Sequence, residues 1–442
     1  MARNVCAYPW QQMNIDLTGE VVPCCFWSGY GNDGKPLGNT NEQTLDEIWN
    51  GEAYQELRRA NASGDLEAGH PCHECLAWQW SGERYPGFEW PSAANAETGA
   101  CFTVSMPRAI VEALAGDGAT AQLFEDGEPL PHPDAMHDEI RQQGGGRYSV
   151  WGDTLYFSST DGSDPRTNGR VYALVCGDVR AELPGLRLGC ASGDNLVTAH
   201  DEYERGETAL AAKPSMISFI STADCNIDCP ACSQNTVRIT KVQHRPGTEA
   251  DVLAHVPYLH QFIWHGGEPY LIRGFRAFID GFRTQDNPNL QFGFTSNGTL
   301  FNAEELAKLE RFPRINASVS MDSFQAETFE TIRAGARFET VLANVLRAVE
   351  RHEAGRFELN IGMIITKDNL VELPENLAFA FEHGLGVNLS PVVVYPVTDR
   401  IDVFRDAQSE TDGWIAALDR ADAVLAEARA RDAVALRRVD PA

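Results

Sequence analysis

The chain of 442 residues is short of basic side chains, with 36 Lys and Arg against 63 Asp and Glu, a net charge of −27 and a pI near 4.7. A surface of that sign repels phosphate backbones and anionic headgroups, so neither nucleic acid nor a membrane is an expected partner. No apolar run approaches the length that spans a bilayer, and the opening "MARNVCAYPW" lacks the apolar centre of a secretory signal. The expected location is the cytoplasm, where thiols stay reduced. No internal repeat is evident. Against these absences stand eleven cysteines. In a reducing compartment they read as metal or cluster ligands sooner than as disulfides.

The chain changes texture along its length. Residues 1–80 hold Cys6, Cys24, Cys25, Cys72 and Cys75, with one helix expected over "NEQTLDEIWNGEAYQELRRAN", where Leu45, Ile48, Trp49 and Leu57 share a face. Residues 81–178 are rich in Gly, Asp, Ser and Pro and close on alternating runs around Tyr148, Val150, Leu155 and Phe157, the pattern of a small antiparallel β insertion. Residues 179–212 read as a linker. From 213 to about 400 come "SMISFIS", "HQFIWHG", "LQFGFTS", "INASVSM", "ELNIGMII" and "VNLSPVVV", with helical patterns between them. Strand then helix, repeated in this way, predicts an α/β fold. Right-handed crossovers would curl its parallel sheet into a partial (β/α)6 barrel whose working face lies at the C-terminal strand ends. In the tail, 401–442, Trp414, Leu418, Ala421, Leu425 and Ala428 form one stripe of a covering helix.

Directly after the first of these strands, "ADCNIDCPACSQ" spaces Cys225, Cys229 and Cys232 as C-x3-C-x2-C. Three thiolates can hold three irons of a cubane and leave the fourth open, which marks a reactive centre. A zinc ion completed by a distant His or Cys is the alternative. The second strand ends in Gly266, Gly267, Glu268 and Pro269, where paired glycines admit close main-chain approach. The third ends in Thr295, Ser296, Asn297 and Gly298, and the fourth carries Ser320 and Asp322. Each alone is ordinary turn chemistry. Together they surround one thiolate cluster.

This combination, over 213 to about 396, resembles the radical S-adenosylmethionine (SAM) enzymes. The resemblance implies that Cys225, Cys229 and Cys232 bind a [4Fe–4S] cluster whose open iron chelates SAM. Reductive cleavage of SAM would give a 5′-deoxyadenosyl radical that abstracts a substrate hydrogen. Gly266, Gly267 and Glu268 would line the methionine amino group. Ser296, Asn297 and Ser320 would face the ribose or carboxylate, with Asp322 beside them. Arg333 resembles an arginine that meets that carboxylate; a surface helix arginine is the alternative. The family's aromatic before the third cysteine is Ala231 here, so adenine packing falls to Tyr270 or to the "LSPVVVY" strand end.

The first zone, from "CAYPWQQMNIDLTGEVVPCC" through "LGNTNEQTLDEIW" to "HPCHEC", is similar to the auxiliary iron–sulfur modules called SPASM and twitch. That likeness implies a second [4Fe–4S] cluster on Cys6, Cys24, Cys72 and Cys75, with a four-cysteine zinc site as alternative. Cys25 is a spare or a substitute for Cys24, His70 and His73 stand behind the ligands, and Cys101, Cys176 and Cys190 have no paired spacing. The insertion loosely resembles a module of glycan-assembly enzymes. Tyr148, Trp151, Tyr156 and Phe157 beside Asp161, Asp164, Arg166 and Arg170 suit a hydroxyl-rich ligand, although Trp151 and Phe157 are expected in the core. The first expectation is therefore a sugar or sugar-nucleotide substrate undergoing oxidation, epimerisation or elimination. A peptide-modifying maturase and a non-catalytic electron carrier are the rivals. Flavodoxin or ferredoxin is the expected reductant.

Overall fold

The computed structural model describes residues 6–24, 27–29, 32–64, 66, 70–73, 75, 95–106, 108–114, 119–168, 170–177, 179–183, 187–230, 232, 244–354, 357–391, 420–421, 423–424, 426 and 436–438. They form two compact units, one of Met1–Pro86 with Asp201–Ala442 and the other of Gly87–His200.

The larger unit is built on one ten-stranded sheet. Its labelled strands are β1 (Gln12–Ile15), β2 (Glu20–Val22), β3 (Gly38–Asn39), β4 (Met216–Ile220), β5 (Gln261–His265), β6 (Gln291–Ser296), β7 (Arg314–Ser320), β8 (Glu358–Ile365), β9 (Gly386–Pro391) and β10 (Leu436–Arg438). From β4 to β9 every neighbour is parallel and follows in chain order. Helices connect them: α3 (Thr248–His255), α4 (Arg273–Gly281), α5 (Ala303–Leu309), α6 (Ala326–Ile332), α7 (Phe338–Glu353) and α8 (Leu373–Glu382). This is the expected α/β alternation, and it leaves all six C-terminal strand ends on one side.

Period-two alternation explains the two faces of that sheet. Phe219, Phe262, Trp264, Phe292, Phe294, Ala317, Val319 and Ile361 are buried on one face. Phe275 of α4 packs edge-on to Trp264, with ring centroids 5.6 Å apart, and Phe278 packs on Phe292 at 5.0 Å. The opposite face carries Ser218, His265, Thr295, Ser318, Ser320 and Asn360, which are half-buried or exposed. Register places Thr295 beside Ser318 and Ser318 beside Asn360.

The cysteine-rich N-terminal zone continues the same sheet. β1 pairs in parallel with β4, Gln12 beside Met216 through Ile15 beside Phe219, and β2 and β3 extend it antiparallel. The helix expected over 41–61 is two helices, α1 (Leu45–Trp49) and α2 (Glu52–Ser63), because the chain turns out at Asn50–Gly51. Thr44 and Glu47 close a capping box on α1. The buried Arg58 of α2 donates to the Pro9 carbonyl at 2.8 Å and the Thr208 carbonyl at 2.9 Å while stacking on Trp49.

Two expectations change. The stretch 179–212, expected as a linker, contains the strand Val179–Glu182 and the helix Ala191–Arg205. Its short apolar runs gave little signal alone, and pairing with Tyr172–Cys176 makes the strand. The tail also ends in β10, an edge strand beside β9, rather than in a covering helix alone. Ala421 is buried in a helical turn; Trp414, Leu418, Leu425 and Ala428 lie outside the described residues.

The smaller unit holds two four-stranded antiparallel sheets around one core of Phe102, Leu123, Tyr148, Leu155, Phe157 and Leu174.

Candidate functional site

The loop after β4 is fastened to the strand end beside it by main-chain bonds. The Gly267 N–H donates to the Thr222 carbonyl and the Glu268 N–H to the Asp224 carbonyl, each at 2.9 Å. A Cβ at Gly267 would overlap the Asp224 and Ala223 carbonyl oxygens, and one at Gly266 would stand 2.8 Å from Ile272 Cδ1. Glycine at 267 is thus required first by the approach of the cysteine loop itself.

Glu268 is fully buried. Its carboxylate accepts from Ser296 Oγ at 3.0 Å, the Asn297 N–H at 2.8 Å and the Tyr270 N–H at 3.2 Å. Burial pushes its pKa up to about 7, against those stabilising bonds. Ser296, expected to face a ligand, is 1% exposed and serves Glu268. Asn297 reaches further: its Nδ2 donates to Cys225 Sγ at 3.5 Å and to Asn226 Oδ1 at 2.9 Å.

On the other side of the loop, the Arg333 fork grips the fully buried Asp322, Nε to Oδ2 at 2.5 Å and Nη2 to Oδ1 at 3.1 Å. Its Nη1 stands 3.9 Å from Cys229 Sγ. Burial opposes the Arg333 charge, but Asp322 and Cys229 more than offset this and raise its pKa. Burial raises the Cys229 thiol, with Cys232 adding to it and Arg333 opposing it. Arg333 is therefore no surface arginine. Ser320 is half-buried at the end of β7, level with Gly362 of β8. His265, which sequence reasoning passed over, ends β5 on the polar face beside the glycine pair. Burial lowers its pKa to about 4, so the ring is neutral at pH 7. Its place in the strand alternation was the signal available.

Tyr270, expected as an adenine partner, packs into the aromatic core. It is 3% exposed and edge-on to Phe275 and Phe294, because its short helical turn folds it into the aromatic core. Ala231 and residues 392–395 of the alternative strand end lie outside the described residues.

In the N-terminal zone Cys6, Cys72 and Cys75 come together. Burial pushes the Cys6 thiol up to about 12, with Cys72 and Cys75 adding to it, and burial raises Cys72 to about 11 with Cys75 adding. Asn61 Nδ2 stands 3.8 Å from Cys72 Sγ, and His70 Nδ1 accepts from the Cys72 N–H at 3.1 Å. Cys24 stands near the buried Tyr54. Cys25 is outside the described residues. No described cysteine is in a disulfide. Among the described residues, no three His, Cys, Asp or Glu side chains stand close enough to share one metal ion. A cubane places each thiolate on a separate iron, and the donor set of soft thiolates with amide and guanidinium donors at their sulfurs fits that group.

In the smaller unit the polar set is paired internally: Arg170 with Glu125 and Asp161, Arg166 with Asp164. Tyr148 and Phe157 are core, whereas Trp151, expected there, is 72% exposed because it ends its strand at the hairpin turn. Tyr156 stacks on His137 at 3.9 Å.

Residues 219–380 match the radical SAM superfamily, and residues 6–76 match the SPASM iron–sulfur cluster-binding domain. The chain thus carries a radical SAM domain preceded by a SPASM domain. The radical SAM match begins inside β4, and the SPASM match starts at Cys6 and ends just past Cys75. A radical SAM domain carries a [4Fe–4S] cluster with SAM, and a SPASM domain carries auxiliary iron–sulfur clusters. The mycofactocin maturase MftC of Mycolicibacterium smegmatis is 23% identical over 193 residues, 43% of this chain and 46% of that protein. The AdoMet-dependent heme synthase of Methanosarcina barkeri is 31% identical over 186 residues, 40% of this chain and 50% of that protein. The chain spans about half the length of the curated relatives it matches. SuiB of Streptococcus suis aligns with a TM-score of 0.41 at 13% identity, covering 55% of this chain and 54% of that one.

Proposed function

We propose that this radical SAM protein is an enzyme that abstracts hydrogen from a peptide, with its β4–β9 sheet curled into the family's partial barrel. Cys225, Cys229 and Cys232 would hold the catalytic cluster, and Cys6, Cys24, Cys72 and Cys75 the auxiliary one. When bound, cluster and SAM supply a 5′-deoxyadenosyl radical. The chain's own part is positioning. Gly266, Gly267 and Glu268 present main chain beside the cysteine loop, Asn297 braces Cys225, and Ser320 faces the space over the polar sheet face. The reading is carried by the pair of bonds from Gly267 and Glu268 to Thr222 and Asp224, which fuse the cysteine loop and glycine turn into one site.

The substrate reading turns from sugar to peptide for two reasons. The name maturase, borne by MftC, supports a peptide, although the heme synthase shows that similar chains carry other names. The polar sheet face supports it independently. Towards the C-terminal strand ends, Ser218, His265, Thr295, Ser318, Ser320 and Asn360 offer neutral donors and acceptors of the kind that pair with amides, and the cationic Arg314 lies at the far end. A sugar-nucleotide pyrophosphate favours Arg or Lys. The sugar expectation rested on the insertion, whose charged residues pair with each other.

A flavodoxin or ferredoxin is the proposed electron donor, and the location proposed is the cytoplasm. No helix among the described residues is long and apolar enough to cross a membrane. Anaerobic, cluster-loaded protein with dithionite and SAM should release 5′-deoxyadenosine. A pool of uncharged peptides should raise that rate where a UDP-sugar does not. No release at all would refute the enzyme, and stimulation by the sugar nucleotide alone would refute the peptide.

A further inference from the structure

We infer that Arg333 sets the reduction potential of the catalytic cluster through the Cys229 sulfur, and that Asp322 moderates it. The inference rests on the cluster assignment above. Arg333 follows α6, and its N–H donates to the Phe329 carbonyl at 2.8 Å. Two of its nitrogens are taken by the Asp322 carboxylate, which leaves Nη1 turned to Cys229 Sγ at 3.9 Å. Asp322 is in turn held by the Ile364 N–H at 2.7 Å, while its carbonyl accepts from Asn369 at 2.9 Å. The cysteine loop is tied to the same turn, the Asp228 N–H donating to the Ala334 carbonyl at 2.7 Å. With its side chain 12% exposed and its partner fully buried, the guanidinium has little room to swing towards another anion.

Reduction adds negative charge to a cluster and its thiolates. A donor on a thiolate sulfur, and above all a cationic one in a poorly solvated site, favours the reduced form. Two cysteines of this loop differ in this respect: Cys225 receives the neutral amide of Asn297 and Cys229 faces a guanidinium. Asp322 stands behind that guanidinium, and its charge works in the opposite sense. Arg333 is thus a positioning and tuning residue, a role distinct from the SAM contact that sequence resemblance implied.

Opposite signs make the test specific. The full chain, reconstituted without oxygen, is titrated potentiometrically in the absence of SAM and followed by EPR. The catalytic centre is the one whose signal later changes on adding SAM. Arg333→Gln should make its reduction equilibrium at least tenfold less favourable, about 59 mV for one electron. Arg333→Lys should fall between, and Asp322→Asn should shift it the other way. Iron content shows whether the cluster is present, so loss of the cluster reading is visible separately from loss of this one. An unchanged potential in iron-replete Arg333→Gln overturns the inference, as does unchanged potential with weakened SAM binding. Should Arg333→Gln lose its iron, Asp322→Asn and Arg333→Lys decide: no shift in either overturns it.

Discussion

The two cysteine centres are built in contrasting ways. In the loop after β4, donors approach the sulfurs from different strand ends, Asn297 at Cys225 and Arg333 at Cys229, and main-chain bonds tie the loop to the end of β5. In the N-terminal module the thiols crowd one another in a buried setting that raises Cys6 and Cys72, and support comes from α2 through Asn61 and Arg58. One centre is placed among groups able to receive a ligand. Under the proposed assignment, three thiolates on a strand-end loop would leave one iron open to a ligand, and four in the N-terminal module would fill every iron of theirs.

Removing the open centre should have the largest effect. Replacing Cys225, Cys229 and Cys232 by Ala should abolish 5′-deoxyadenosine release, measured chromatographically, while about half the iron stays with the four auxiliary ligands. Next comes Gly267→Val, in which a side chain would drive the Asp224 and Ala223 carbonyls away. It should lose SAM cleavage together with iron from that centre; full iron with weakened SAM titration would mean that the turn serves the ligand alone.

The closed centre should yield to a change in its support. Arg58→Ala leaves two carbonyls unpaired and empties the space on Trp49, at a cost of about 3 kcal/mol in urea unfolding. Auxiliary iron should fall before catalytic iron. Equal losses would erase the distinction between the two supports.

Glu268 gives a pH dependence to the open centre. Its folded pKa of about 7 exceeds the ordinary 4.5, so the folded chain holds a proton that the unfolded chain has lost. The associated stability is complete below pH 4.5 and disappears as pH rises through 7, a change of at most about 3 kcal/mol. Denaturation midpoints at pH 5 and 8 should differ less in Glu268→Gln than in the parent chain. The smallest effect belongs to the insertion: Trp151→Ala, at an exposed site, should change stability by less than about 0.5 kcal/mol. Phe157→Ala, in the core, should cost about 3–5 kcal/mol.

The parallel α/β sheet was legible because its strands alternate and its helices recur at regular intervals, and the cysteine spacing marked the loop after β4. What the sequence hid were pairings between distant segments. β1 adds to β4 across some two hundred residues of chain, a partnership no local pattern encodes. Ser296 and Arg333 carry polar groups suited to a ligand, and only packing shows that Glu268 and Asp322 claim them. Trp151 illustrates the same limit from the opposite side, since an aromatic in an alternating strand reads as core until the turn places it outside.

The contrast between an open and a closed centre is tested most directly by EPR of the anaerobically purified, reduced protein with and without SAM. The parent chain should show two reduced cluster signals, one altered by SAM. The Cys225, Cys229 and Cys232 triple-Ala protein should stay brown and keep a single signal that SAM leaves unchanged. A colourless triple variant holding stoichiometric zinc, or a residual signal that responds to SAM, would contradict the account.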